Sequence, residues 1–246
     1  VIDKEEDLKG LTEGQIAEAA SRAKKAGQEG KWYFGLDNPS IMPFLANAEN
    51  RELRKQMLEA YLNRCNNNNE NDNKAVIAKL VELRLKRAQI MGCETAADFI
   101  LDDRMAKTSK AVYGLLDQIW KPAIKVAHNE ANDMRKLIAK EGSNIELEAW
   151  DWRYYAQKSM KAKFDLSESQ MAPYFKLENV IDAVFSLANT LYGLNFTEAT
   201  DIPGYHPDVK VYDVTDANGR HMAVFYADFF PRESKRGGAW MTSFRE

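Results

Sequence analysis

Glycines 27, 92, 142 and 193 each stand just beyond a run whose apolar residues recur every three or four positions. That recurrence is the helical period, and glycine tolerates the left-handed backbone on which helices stop. The starts of these runs are marked as well. Thr12 with Gln15, Thr95 with Asp98, and Ser167 with Gln170 have the spacing of a capping box, in which the first side chain accepts the third residue's backbone N–H. Asn50 and Thr108 stand where caps belong, and Asn38-Pro39 sets a cap residue before proline at the first helical position. The pattern predicts helices from Thr12, from Asn38 and from Asn50. Longer ones follow over Lys74 to Met91, Thr108 to Lys140, Glu148 to Lys163 and Leu177 to Tyr192, with a short one at Ser167. Pro122 falls inside the longest and predicts a kink or a break, because it removes a backbone donor. Between two of these helices, residues 66–73 read Asn-Asn-Asn-Asn-Glu-Asn-Asp-Asn, a run with nothing to bury and therefore an exposed loop.

After Pro203 the period shortens. Val209 to Val214 and Met222 to Phe229 read as strands, joined through Asn218-Gly219, a strong hairpin signal. Phe225, Phe229 and Phe230 set against Met222, Val224 and Tyr226 make both faces of the second strand apolar. Such a strand needs cover on both sides. The predicted architecture is mainly α, a helical lobe with a small antiparallel β-sheet near the C-terminus. Residues 1–203 form the helical scaffold region, and residues 204–246 form the hairpin and the start of a further sheet.

Charge and composition exclude several classes. With 34 basic against 37 acidic residues and a net charge of -3, the chain has no strongly basic domain to hold a nucleic-acid backbone, and that class of partner is disfavoured. Apolar residues make up 45% and charged ones 29%, the profile of a folded globular chain. No apolar run reaches the roughly 18–20 residues of a membrane span, so neither nucleic acid nor membrane is an expected partner. The acidic start, Val1 to Glu6, lacks the layout of a signal peptide, and a cytoplasmic location is the default expectation. Cys65 and Cys93 lie outside any C-x-x-C pair and indicate neither a metal knuckle nor a disulfide framework. The chain opens on Val1 and closes on Ser243-Phe244-Arg245-Glu246, which reads as a cut through a longer polypeptide.

A search for chemistry ends without a catalytic or metal-ligating set. A zinc hydrolase needs two imidazoles one helical turn apart and a carboxylate, as in H-E-x-x-H. The three histidines, His128, His206 and His221, include no pair that could share a turn. His128 reads as a helical surface residue and His221 as a solvent-facing residue after the hairpin turn. His206, between Tyr205 and Pro207, reads either as a structural hydrogen-bonder or as a substrate contact. The richest local grouping is Lys235-Arg236-Gly237-Gly238, where two glycines beside two cations would let backbone approach an anionic ligand, or simply form a basic turn between strands. His206, Lys235, Arg236, Gly237 and Gly238 are therefore the candidate substrate-cleft residues.

Four blocks carry a family likeness: Met105-Ala106-Lys107-Thr108, Trp150 to Ala156 (WDWRYYA), Tyr205-His206-Pro207-Asp208-Val209, and Phe225 to Met241 (FYADFFPRESKRGGAWM). In order and spacing they resemble the zinc oligopeptidase family of thimet oligopeptidase and the peptidyl-dipeptidases, over essentially the whole chain. The glycine turn is worded more like the bacterial peptidyl-dipeptidase branch. The resemblance implies a mostly helical, deeply clefted peptidase acting on short peptides. Its zinc is held by the two histidines of H-E-x-x-H and a later glutamate, and the motif's own glutamate acts as general base on zinc-bound water. It also implies that this chain ends before those residues. Zinc is then expected in the longer parent and not on this chain, which would be inactive alone. Self-association through the uncovered C-terminal sheet is a further expectation. A noncatalytic helical module that holds a peptide or protein in a groove is the alternative reading of the same residues.

Overall fold

The computed structural model describes all residues except 165–167, 231, 233, 236, 237, 239 and 244–246, together with the side chains of 168 and 169. The chain divides into two compact units, Val1–Phe164 and Asp165–Glu246. The fold is mainly helical with a small antiparallel sheet.

The first unit begins with a 3-10 turn, Glu5–Leu8, followed by α1 (Glu13–Lys25), α2 (Asn38–Asn47), α3 (Arg51–Leu62), α4 (Lys74–Ile90), α5 (Ala96–Leu101), α6 (Ser109–Lys140) and α7 (Ala149–Phe164). Its starts obey the predicted chemistry. Thr12 and Gln15 make both halves of a capping box, and the side chains of Asn50, Thr95 and Thr108 each accept the N–H three residues on. One start differs. Asp37, not Asn38, is the cap residue of α2, and its side chain makes no cap bond because both carboxylate oxygens accept from the Arg22 guanidinium at 2.8 and 3.2 Å. The glycines at 27, 92, 142 and 193 all have positive φ, the conformation that makes glycine the stop residue. Pro122 does not break α6, which runs as one helix from Ser109 to Lys140. The Asn-rich loop is exposed, and Asp72 organises it by accepting the N–H groups of Asn68 and Lys74 at 2.7 and 3.0 Å.

Two small cores hold this unit. Ile2, Leu8, Phe44 and Ala48 pack with Trp32, Phe34 and Leu53 around α2, helped by the antiparallel bridge of Ile2 to Trp32. Met134, Ile138 and Tyr155 pack where the C-terminal half of α6 meets α7. Between the cores α7 is fastened to α3 by charge. Asp151 is wholly buried and accepts from Arg54 at 2.9 Å and from Arg51 at 2.8 to 3.1 Å; it also accepts the N–H of Glu148 at 3.1 Å, capping its own helix. The buried Arg54 guanidinium gives three more hydrogens to the carbonyls of Ala48, Glu49 and Trp150, and lies 4.1 Å from the Tyr154 ring centroid. Two ions are held out of water only when they are paired and closely hydrogen-bonded, and here four of the five Arg54 N–H groups and both Asp151 oxygens have partners.

The second unit contains α8 (Glu168–Met171), a 3-10 turn (Ala172–Phe175), α9 (Leu177–Tyr192) and three strands, β1 (Asn195–Glu198), β2 (Lys210–Thr215) and β3 (His221–Ala227). Ser167, the expected start of α8, lies outside the described residues. The sheet order is β1-β2-β3, antiparallel throughout, with Phe196 opposite Val214 and Tyr212 opposite Phe225. β1 precedes Pro203 and is too short for alternation to reveal it. Phe185 of α9 stacks on Phe196 at 4.1 Å and meets Tyr212 edge-on at 4.9 Å, so an aromatic cluster covers one face of the sheet. Phe225 meets that cluster but stays exposed, as do Met222, Val224 and Tyr226 on the other side of the strand. The hairpin is longer than a two-residue turn. Asp216 accepts the N–H groups of Asn218 and Arg220, both at 2.9 Å, and Gly219 supplies positive φ. The amphipathic stripe of α9, Val180, Val184, Leu187 and Leu191, is exposed on the side away from Phe185. Among the described residues no helix is long and apolar enough to cross a membrane.

Candidate functional site

The loop ahead of β2 and the turn after β3 meet at one carboxylate, Asp228. Tyr205 donates its hydroxyl to Asp228 Oδ2 at 3.0 Å while its ring stacks on Tyr226 of β3. Arg232 grips the same carboxylate with two parallel bonds of 2.8 and 2.7 Å. Lys235 Nζ lies 2.8 Å from Asp228 Oδ1 and donates to the carbonyls of Asp228 and Phe230 at 2.9 and 2.7 Å. The hydrogen bonds from Arg232, then Lys235, and the one from Tyr205 hold the Asp228 carboxyl far below the usual carboxylate range. The same contact raises the Tyr205 phenol, because losing its proton would set two negative charges side by side.

The predicted cleft residues can be placed against this cluster. Lys235 belongs to it, but its ammonium hydrogens are turned inward onto Asp228 and Phe230 and clamp the turn. Gly238 lies just beyond with φ of +113°, a conformation open to glycine and strained for other residues. Arg236 and Gly237 lie outside the described residues. His206 sits in the entering loop next to Tyr205. Its Nδ1 accepts the N–H of Asp208 at 3.2 Å and its carbonyl accepts from Val209 at 3.0 Å. A neutral His206 therefore carries its proton on Nε2. The loop is tight, because a Cβ at Gly204 would come within 3.4 Å of the His206 and Val209 carbonyl oxygens.

The other histidines stand elsewhere. His221 Nδ1 pairs with Asp213 Oδ1 at 2.5 Å across the hairpin, and His128 is exposed on α6. Among the described residues no three His, Cys, Asp or Glu side chains converge as a metal site would require. Both cysteines are free thiols.

Sequence reasoning missed Asp228 and Tyr205 as site-forming residues, although both lie in quoted blocks. It also missed Asp151, whose block turned out to hold the α3–α7 knot. The available signal was an acid four positions before an arginine, followed by a lysine, in a segment with no helical period to explain the spacing.

Comparison with known proteins gives these blocks a context. The model of peptidase family M3 matches residues 44–246. The dipeptidyl carboxypeptidase of Escherichia coli is 39% identical over 247 residues, covering 100% of this chain and 36% of its own. Oligopeptidase A of Salmonella typhimurium is 32% identical over 98% of this chain and 36% of its own, and the organellar oligopeptidase A of Arabidopsis thaliana is 33% identical over 98% and 31%. The chain spans about a third of the length of these curated relatives. With the family model matched over 203 of its 246 positions, from Phe44 to Glu246, the chain belongs to peptidase family M3.

Proposed function

We propose that this chain is the scaffold and cleft wall of a zinc metallopeptidase that hydrolyses short oligopeptides and releases dipeptides from their C-termini. The observation that carries this reading is the match to a dipeptidyl carboxypeptidase at 39% identity across the whole chain. The role of cleft wall falls to the Asp228 cluster, whose contacts tie Arg232 and Lys235 to the end of β3 and to the Tyr205 loop. His206, Lys235, Arg236, Gly237 and Gly238 are proposed to shape the substrate path from there, with His206 Nε2 as the one imidazole nitrogen that the loop leaves for a peptide. Among the described residues no cluster of His, Cys, Asp or Glu fits a zinc cage, so no catalytic step is assigned to them and the chain alone is proposed to be inactive. The exposed Met222, Val224 and Tyr226 face of β3 is proposed to support self-association of the isolated chain, and the protein is proposed to work in the cytoplasm.

The decisive assay compares two preparations on an N-blocked tripeptide with and without zinc. The 246-residue chain is expected to leave the peptide intact. The chain joined to the remaining length of the dipeptidyl carboxypeptidase sequence is expected to release the C-terminal dipeptide in a zinc-dependent way. Release of a single C-terminal residue instead would refute the dipeptidase assignment.

A further inference from the structure

An ordinary surface helix keeps its apolar residues within a stripe roughly 100° wide. α4 does not. Val76, Ile77, Leu80, Val81, Leu83 and Leu85 spread over roughly 200° of its circumference at 3.6 residues per turn. All six are exposed, and Ala88 is the buried residue of the helix. A helix apolar on so much of its surface belongs inside a protein, with neighbours on more than one side. α5 touches both α4 and α6 without covering these residues. The N-terminal half of α6 repeats the anomaly. Leu116, Ile119, Trp120 and Ile124 are exposed, Trp120 at 64%, although the C-terminal half of the same helix buries Met134 and Ile138. Isolated exposed apolar residues need no explanation, but a contiguous set on two linked helices marks a contact surface.

We infer that α4 is a seam helix, whose two bare sides are covered by the part of the M3 polypeptide that this chain does not span. The lengths support that occupant, since the chain accounts for 36% of the dipeptidyl carboxypeptidase it matches from end to end. Charge supports it too. A shallow, open groove along α4 is lined by Val76, Leu80 and Leu83 together with Lys79, Arg84 and Arg87. Lys79 pairs with Glu82 at 2.9 Å, but Arg87 faces the Phe99 ring and Arg84 has no carboxylate partner among the described residues. The covering segment is therefore apolar at its centre and acidic at its margin. A second copy of this chain is a poorer occupant, because it would bring the same arginines to the same seam. The inference rests on the reading of the chain as part of a longer M3 peptidase.

The test co-produces the 246-residue chain with the part of the Escherichia coli dipeptidyl carboxypeptidase sequence outside the matched region. The chain is expected to purify as a one-to-one complex and to lose the binding of a hydrophobic dye that it shows alone. Leu80→Glu on the groove side and Val81→Glu on the other side should each weaken the complex at least tenfold. Both should leave the isolated chain's melting temperature within about 2 °C, because their sites are exposed there. A complex that leaves the tripeptide uncut would sink the proposed activity and keep the seam. No association with the unsubstituted chain, association indifferent to both substitutions, or a homodimer that Leu80→Glu dissolves would each overturn the seam.

Discussion

Asp151 is the residue on which the first unit depends most sharply. Its burial pushes the carboxyl up, and the hydrogen bonds from Arg51, Arg54 and the Glu148 N–H outweigh that and hold it below the ordinary carboxylate value. Replacing it with alanine strands the buried Arg54 guanidinium. We expect Asp151→Ala to cost roughly 3–5 kcal/mol, read from urea unfolding followed at the tryptophans. The sign of the pH dependence follows from the lowered value. The stabilisation is complete above the unfolded carboxyl pKa of about 4 and is lost as pH falls through the lower folded one. Acid unfolding of the unsubstituted chain should therefore steepen below about pH 4, and an Asp151→Asn chain, weaker throughout, should lack that component. An Asp151→Asn chain with the same acid profile as its parent would refute the assignment. This residue also shows what the sequence hides. WDWRYYA could be recognised as a block, but its partners Arg51 and Arg54 lie about a hundred positions earlier, and only the packing of α3 on α7 brings them together.

At the scale of the element, the helices were legible because their signals are local. A cap side chain reaches three residues on and a stop glycine acts at its own φ, so Thr12, Asn50, Thr95, Thr108 and Gly193 could be read without knowing the tertiary fold. β1 was not legible, because a four-residue strand is defined by its partner, here Asp213 to Thr215 and Tyr212 of β2. The hairpin lay between these cases. Asn218-Gly219 located the turn, but Asp216 does the organising by holding two backbone N–H groups and the Arg220 side chain at 3.2 Å. We expect Asp216→Ala to destabilise the sheet by about 1–2 kcal/mol, since bonds to a half-buried charged acceptor are individually modest. A thermal melt monitored by near-ultraviolet dichroism of the aromatic cluster should report the loss. Tyr205→Phe tests the other end of the sheet. Removing the hydroxyl while Arg232 still holds Asp228 should cost about 1 kcal/mol or less, whereas Asp228→Ala frees Arg232, Lys235 and Tyr205 together and should cost distinctly more in the same melt.

For the whole molecule, the family was readable from four blocks and the mainly α class from periodicity, yet the Asp228 cluster was not. Its members come from a loop, the end of a strand and a turn, and no rule of spacing joins Tyr205 to Asp228 across 23 positions. Metal binding is a property at this scale as well. A ligand bound at 100 times its Kd raises stability by about 2.7 kcal/mol. Zinc should give the isolated chain no such shift in a calorimetric scan, and a saturable rise in melting temperature would show that its histidines do assemble.

The division of α6 has one more consequence, in time rather than in space. Some 48 Å long at 1.5 Å per residue, the helix passes through Pro122 without a donor there, bare before it and packed against α7 after it. Amide protons before the proline should exchange with solvent through local opening, on a much shorter clock than those around Met134 and Ile138, which wait for the unit to open as a whole. One continuous helix would then keep two lifetimes, and the slower should belong to the half that already has its neighbour.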